Sequence, residues 1–102
     1  MVITDERIAG FEAWLRSEER EASTIRNYVR DITALKEWLT DRDFSKENVL
    51  LWKETLIESG LRPVTVNAKL AAVNTFFRFI GENCKIRLLK IQKKCSVTRI
   101  RI

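Results

Sequence analysis

The chain has 102 residues, enough for one domain with a hydrophobic core of its own. Its 45% apolar and 32% charged residues exclude a disordered protein, and its apolar runs are too short to cross a bilayer. No secretory leader opens the chain, so we expect a cytoplasmic protein with no membrane partner. It has no His, and Cys84 and Cys95 form no metal-binding pattern. We therefore expect free thiols, with a disulfide as the less favoured alternative, and neither cofactor nor small-molecule ligand.

The formal net charge of +5 is unevenly spread along the chain. Acidic segments, residues 4–21 (3 basic, 6 acidic) and 41–60 (3 basic, 5 acidic), alternate with more basic ones. The basic segments are residues 23–39 (3 basic, 2 acidic) and 62–81 (3 basic, none acidic), and residues 82–102 carry 7 basic and 1 acidic residue. We expect a polyanionic partner to contact the second segment, the fourth and the tail.

Two helices are predicted in the first 40 residues. The first begins after Thr4, a typical N-cap, and ends in the charged run 18–21. Its apolar face consists of Ile8, Phe11, Trp14 and Leu15. The second has Ser23 as its predicted N-cap and carries a continuous apolar stripe. This stripe consists of Ile25, Tyr28, Val29, Ile32, Leu35 and Leu39.

Two further helices follow a predicted loop at residues 40–44. Ser45 is expected to cap the third helix, and Gly60 to end it. Its inward side chains are expected to be Val49, Trp52 and Leu56, joined by Leu50 or Ile57. Pro63 suits the first turn of a fourth helix, which Gly81 ends.

These elements predict an all-α fold, because no strand-like alternation with turn chemistry precedes residue 84. We expect a compact four-helix bundle in residues 1–83 and a basic linker or tail in residues 84–102. The tail sequence is compatible with a segment lying along the bundle, a short helix or an edge strand.

The fourth predicted helix has two distinct faces. Its apolar face consists of Val66, Leu70, Val73, Phe77 and Ile80. The opposite stripe consists of Asn67, Ala71, Asn74 and Arg78. Asn is a poor residue for a helix interior, so two of them on one stripe indicate a role beyond helix stability. In a DNA major groove, Asn can pair with adenine and Arg with guanine; a solvated amphipathic helix is the alternative.

Three stretches resemble the N-terminal core-binding domain of tyrosine recombinases, the integrase family of phages and conjugative elements. Residues 13–39 place Thr24-Ile25 and Tyr28 ahead of an aliphatic helix, as such domains do. Residues 60–80, GLRPVTVNAKLAAVNTFFRFI, are similar to the family's Gly-Leu, Thr-Val-Asn and Phe-Phe helix. The basic stretch 85–94 resembles the segment that leads to the catalytic domain in integrases of Gram-positive mobile elements.

The resemblance implies a SAM-like four-helix domain that forms half of a C-shaped clamp on duplex DNA. In that family the second and fourth helices face the major groove near the recombination core site. The resemblance also makes Tyr28 a buried core residue and not a nucleophile. Periodicity places Trp14 and Trp52 in the core and leaves Trp38 half exposed.

The resemblance assigns candidate DNA contacts to the second helix, the fourth helix and the linker. On the second helix they are Ser23, Thr24, Arg26, Asn27 and Arg30. On the fourth helix they are Thr65, Asn67, Lys69, Asn74 and Arg78, with Ala71 allowing close approach. In the linker they are Lys85, Arg87, Lys90, Lys93 and Lys94, which we expect to act on phosphates without reading sequence.

We therefore expect a duplex-DNA-binding domain of a site-specific recombinase, with self-association on DNA open to the full-length protein. Family catalysis needs an Arg–Lys–His–Arg–His/Trp constellation in a separate domain. Because this chain has no His, we expect it not to be an enzyme by itself. Two alternatives are a helical protein-interaction module and a stand-alone truncated regulator that occupies recombination sites.

Overall fold

The computed structural model describes residues 2–89 of the chain. Four helices follow one another: α1 (Asp5–Ser17), α2 (Ala22–Leu39), α3 (Lys46–Glu58) and α4 (Pro63–Phe79). There is no strand within residues 2–89, so the predicted all-α fold of four helices is confirmed. In the same range, no helix combines the length and the apolar character needed to cross a membrane.

Two of the three predicted side-chain caps are present. The hydroxyls of Thr4 and Ser45 each accept a hydrogen bond from the backbone N–H three residues further on, at 3.2 and 3.3 Å. The predicted Ser23 cap is wrong, because α2 already begins at Ala22. Glu21 is the N-cap residue, and its side chain makes no capping hydrogen bond. Ser23 therefore lies inside the first turn of α2.

The predicted helix boundaries around α4 are confirmed. Pro63 is the first residue of α4, where its missing N–H costs no helical hydrogen bond. Gly60 and Gly81 have φ values of 82° and 81°, in the left-handed region that glycine adopts without steric cost.

Helix α4 contacts each of the other three helices, as α2 also does. Phe76 on α4 is fully buried, and its ring centroid lies 5.0 Å from that of Phe11 on α1. It also lies 5.2 Å from the ring of Phe44, which precedes α3. Both pairs meet edge to face, a favourable geometry for aromatic rings. This aromatic cluster packs α1 and the segment before α3 against α4.

The other aromatic side chains follow the predictions only in part. Trp52 is buried, whereas Trp14 and Tyr28 are half-buried and pack against the core. Tyr28 is therefore a core residue, though less buried than the resemblance implies. Trp38 is half-buried as expected, and the guanidinium of Arg42 lies 5.2 Å from its ring centroid.

The outward side of α3 is more apolar than expected. Val49, Trp52 and Leu56 face the core as predicted, but neither Leu50 nor Ile57 does. These two side chains are 37% and 45% exposed.

After α4 the chain turns back along the bundle. We call residues 84–89 the strap; they form neither helix nor strand, and Ile86 is fully buried. Of the three alternatives for the start of the tail, the segment lying along the bundle is the one found. Cys84, at the start of the strap, is a free and half-buried thiol. Cys95 lies outside the described residues.

Candidate nucleic-acid interface

Helix α2 turns a polar, cationic face outward. Ser23, Arg26, Asn27 and Arg30 are exposed, and Thr24 is half-buried. Ser23, Asn27 and Arg30 follow at spacings of four and three residues, so they lie on one stripe of the helix. The apolar residues of α2 occupy its other side and pack into the core. All five residues predicted on this helix are therefore at least partly accessible.

A buried carboxylate joins α2 to α4 beside this face. Asp31 is 2% exposed, and its Oδ1 lies 3.1 Å from Nζ of Lys69 on α4 and 3.5 Å from Nε of Arg30. A buried carboxylate without a cationic partner costs free energy, so we assign Lys69 to the ion pair with Asp31. The Lys69 side chain is only 22% exposed, whereas that of Arg30 is 67% exposed. Arg30 can therefore contact a ligand, while Lys69 fixes α4 against α2.

We expect Lys69→Ala to lower the free energy of unfolding by about 1–3 kcal/mol, because Asp31 would keep only one, largely exposed, cationic partner. Urea unfolding followed by circular dichroism measures this loss. Lys46→Ala is the matched control, because Lys46 is exposed at the start of α3; its effect is expected to stay within about 0.5 kcal/mol. Equal effects of the two substitutions would contradict the role given to Lys69.

The Asn stripe of α4 is covered by the strap. Asn74 donates from Nδ2 to the Ile86 carbonyl (3.0 Å) and accepts at Oδ1 from the Ile86 N–H (2.7 Å). Asn67 makes the same pair of bonds to Leu89, at 2.9 and 2.7 Å. Ala71, between the two Asn residues, is half-buried. Both amides are thus bonded to protein backbone. The sequence had predicted that this stripe is free to face DNA or solvent.

The remaining candidates on α4 and the strap are exposed. Thr65 lies in the first turn of α4, and Arg78 holds its guanidinium 5.9 Å from the Trp14 ring centroid. Lys85 and Arg87 flank the buried Ile86 and are both exposed. The remaining three candidates lie outside the described residues; they are Lys90, Lys93 and Lys94.

Two arginines that the sequence reasoning missed lie beside Arg26. Arg16 and Arg20, from the end of α1 and the turn after it, line the same open groove of about 680 Å³ as Arg26. Arg16 also pairs with Glu12 one helical turn earlier. Because residues 4–21 carry a net negative charge, this segment was not expected to contribute cations, although both arginines follow Glu12 at helical spacing.

The described residues contain no group of three His, Cys, Asp or Glu side chains that could hold a metal ion. The described residues carry two basic features instead: the arginine face of α2 with the groove beside it, and the strap with Lys85 and Arg87. Cations around an exposed helix form a surface typical of nucleic-acid-binding modules.

Comparisons with known proteins place the chain in a family. Residues 8–82 match the family model described as "Phage integrase, N-terminal SAM-like domain", so the chain belongs to this family. It is also similar to a protein of Lactococcus lactis subsp. cremoris (strain SK11) described as "Tyrosine recombinase XerD-like". The identity is 32% over 75 residues, which cover 74% of this chain and 31% of the relative. The matched region thus spans about a third of the relative's length. No solved structure matches the chain.

Membership of the family confirms the resemblance that the sequence motifs suggested. The four-helix order agrees with it, and the matched residues begin within α1 and end just after α4. The strap follows the matched region, and its contacts come from the structure alone.

Proposed function

We propose that this chain binds duplex DNA as the core-binding domain of a site-specific tyrosine recombinase. The observation that carries the proposal is the outward face of α2, where Arg26, Asn27 and Arg30 are all exposed. The family match supports the same conclusion, because the relative is described as a tyrosine recombinase.

In this proposal α2 lies in or against the major groove. Asn27 and Arg30 share one stripe of the helix, and their side chains are the types that pair with adenine and guanine edges. Arg26 lies beside that stripe, with Arg16 and Arg20 across the groove from α1. These three arginines suit the phosphates that flank the groove and fix the position of the domain on the duplex. Ser23 and Thr24, in the first turn of α2, add hydroxyl donors for a phosphate.

The contribution of α4 is narrower than its sequence suggests. Thr65 and Arg78 keep exposed side chains for DNA, and the strap adds Lys85 and Arg87. Asn67 and Asn74 hold the strap, so we assign them no base contact. Lys69 is assigned to Asp31. The basic residues of the tail remain proposed phosphate contacts.

The proposed role is binding without catalysis. Strand transfer would belong to the rest of a full-length recombinase, and contacts between recombinase copies would form on DNA. The present domain would bind the duplex and fix the position of the recombinase on it. We expect its affinity to be low and to fall as salt rises, because it neutralises few phosphates.

The test is an NMR titration of the ¹⁵N-labelled chain with a short duplex at low salt, repeated at higher salt. We expect shifts in residues 23–30, at Thr65 and in the strap, and we expect them to fade with salt. The outward side of α3, at Leu51 and Ile57, serves as an internal control and is expected not to respond. An absence of shifts at low salt would contradict the proposal.

A second candidate function rests on the outward side of α3. Leu51 and Ile57 are 50% and 45% exposed on one helix, and such side chains favour contact with another protein. Leu51→Glu with Ile57→Glu would abolish such a contact and lower duplex affinity by no more than about threefold, through the change of two charges alone. If this pair of substitutions weakened duplex binding as strongly as changes on α2, the assignment of the DNA face to α2 would be wrong.

A further inference from the structure

The strap is attached to α4 by a repeated contact. Asn74 and Asn67 each bind the N–H and the carbonyl of one strap residue, as a neighbouring strand would. The two Asn residues are seven positions apart, about 10.5 Å along a helix. Their partners, Ile86 and Leu89, are three positions apart, about 9 Å in an extended chain with three residues per turn, which presents every third residue to the same side. The two spacings are close, so a chain of this extended type satisfies both amides at once.

We propose that Asn67 and Asn74 are positioning residues that hold Lys85 and Arg87 in place for contact with DNA phosphates. The inference rests on the proposed DNA-binding function and adds a role for residues that do not themselves touch DNA. In this role the two Asn side chains bind the strap and do not contact bases.

Burial of Ile86 sets the direction of its neighbours. In an extended chain with three residues per turn, the neighbours of a fully buried Ile86 point to other sides than Ile86 does, which turns Lys85 and Arg87 outward. Both cations are exposed. On the α3 side, Nζ of Lys53 donates to the carbonyl of Arg87 at 2.7 Å and holds the backbone there.

The energetic reason for the attachment is preorganisation. A free linker would lose backbone freedom only on binding DNA, and that loss would weaken the complex. A strap already held by four hydrogen bonds and a buried Ile86 loses little more. Its two cations therefore act with less loss of conformational entropy than the same cations on a free chain.

A double-mutant cycle on duplex affinity tests this role in the full chain. One pair of substitutions is Asn67→Ala with Asn74→Ala, and the other is Lys85→Ala with Arg87→Ala. We expect the Asn pair to weaken binding roughly tenfold in the otherwise unchanged chain. In the background lacking Lys85 and Arg87, the Asn pair is expected to change affinity by less than about twofold. Equal effects in both backgrounds would overturn the proposal, because a loss of general stability would act in both.

Hydrogen exchange provides a readout that needs no DNA. The N–H groups of Ile86 and Leu89 are expected to be protected in the unchanged chain and to exchange faster in the Asn pair. Asn67→Ala alone is expected to expose Leu89 and leave Ile86 protected, so it serves if the double substitution disturbs folding. Unprotected Ile86 and Leu89 in the unchanged chain would overturn the proposal even if DNA binds. A chain that keeps this protection and binds no duplex would instead show that the proposed function itself is wrong.

Discussion

Replacing Arg26 and Arg30 together by alanine is expected to weaken duplex binding by about 2–3 kcal/mol at low salt, roughly 30- to 150-fold. Both guanidinium groups lie on the exposed side of α2, where each can reach a phosphate or a base edge. If both act on phosphates, the slope of log affinity against log salt is expected to fall by about 2. Fluorescence anisotropy of a labelled duplex, recorded across a salt series, measures both quantities.

The matched control removes two positive charges elsewhere. Arg7 on α1 and Lys46 on α3 are both exposed, and neither lies on the α2 face. Arg7→Ala with Lys46→Ala changes the net charge equally and is expected to lower affinity by no more than about threefold, through the long-range field alone. If this control pair weakened binding as much as the α2 pair, net charge rather than a defined interface would account for the affinity.

Phe76→Ala is expected to cause the largest loss of stability, about 3–5 kcal/mol. Phe76 is fully buried on α4 and meets rings from α1 and from the segment before α3, so its removal leaves a cavity between three elements. A domain of this size has about 5–15 kcal/mol of stability in total, so the variant is expected to be near unfolding at room temperature. Urea unfolding by circular dichroism measures the change.

Phe79→Ala is the natural comparison for that experiment. Phe79 lies on the same helix and packs against the same cluster, but it is only half-buried. The water-exposed part of its ring contributes little, so we expect a loss of about half that of Phe76. Similar losses at the two positions would mean that burial on α4 does not govern the stability of this core.

The fold was predictable because its signals are local. Thr4 and Ser45 cap helices through bonds to residues three positions away, and Gly60 and Gly81 end helices through their own backbone angles. Such features depend on short stretches of chain. The prediction of Ser23 as N-cap was wrong for a related reason. No side-chain hydrogen bond marks the start of α2, and the first residue of such a helix varies by one or two positions.

The candidate site was harder to predict, because its partners are distant in sequence. Asn67 and Asn74 stand out by spacing, but their partners lie 22 and 12 residues away in a segment without regular structure. Nothing local distinguishes an amide that holds backbone from one that reads a base. The sequence does indicate that Asp31 is buried, because it lies three residues after Tyr28 and four before Leu35, within the apolar stripe of α2. A carboxylate in that position needs a cation from another helix.

The backward course of the strap has a consequence for how this chain tolerates change in length. Leu89 is held beside Asn67, two helical turns before Asn74. Glu82 and Asn83 are exposed in the connecting turn. Residues inserted there would lengthen a surface loop at a small entropic cost, while Leu89 stayed where it is. The position of Leu89 against α4 is therefore independent of the length of this loop.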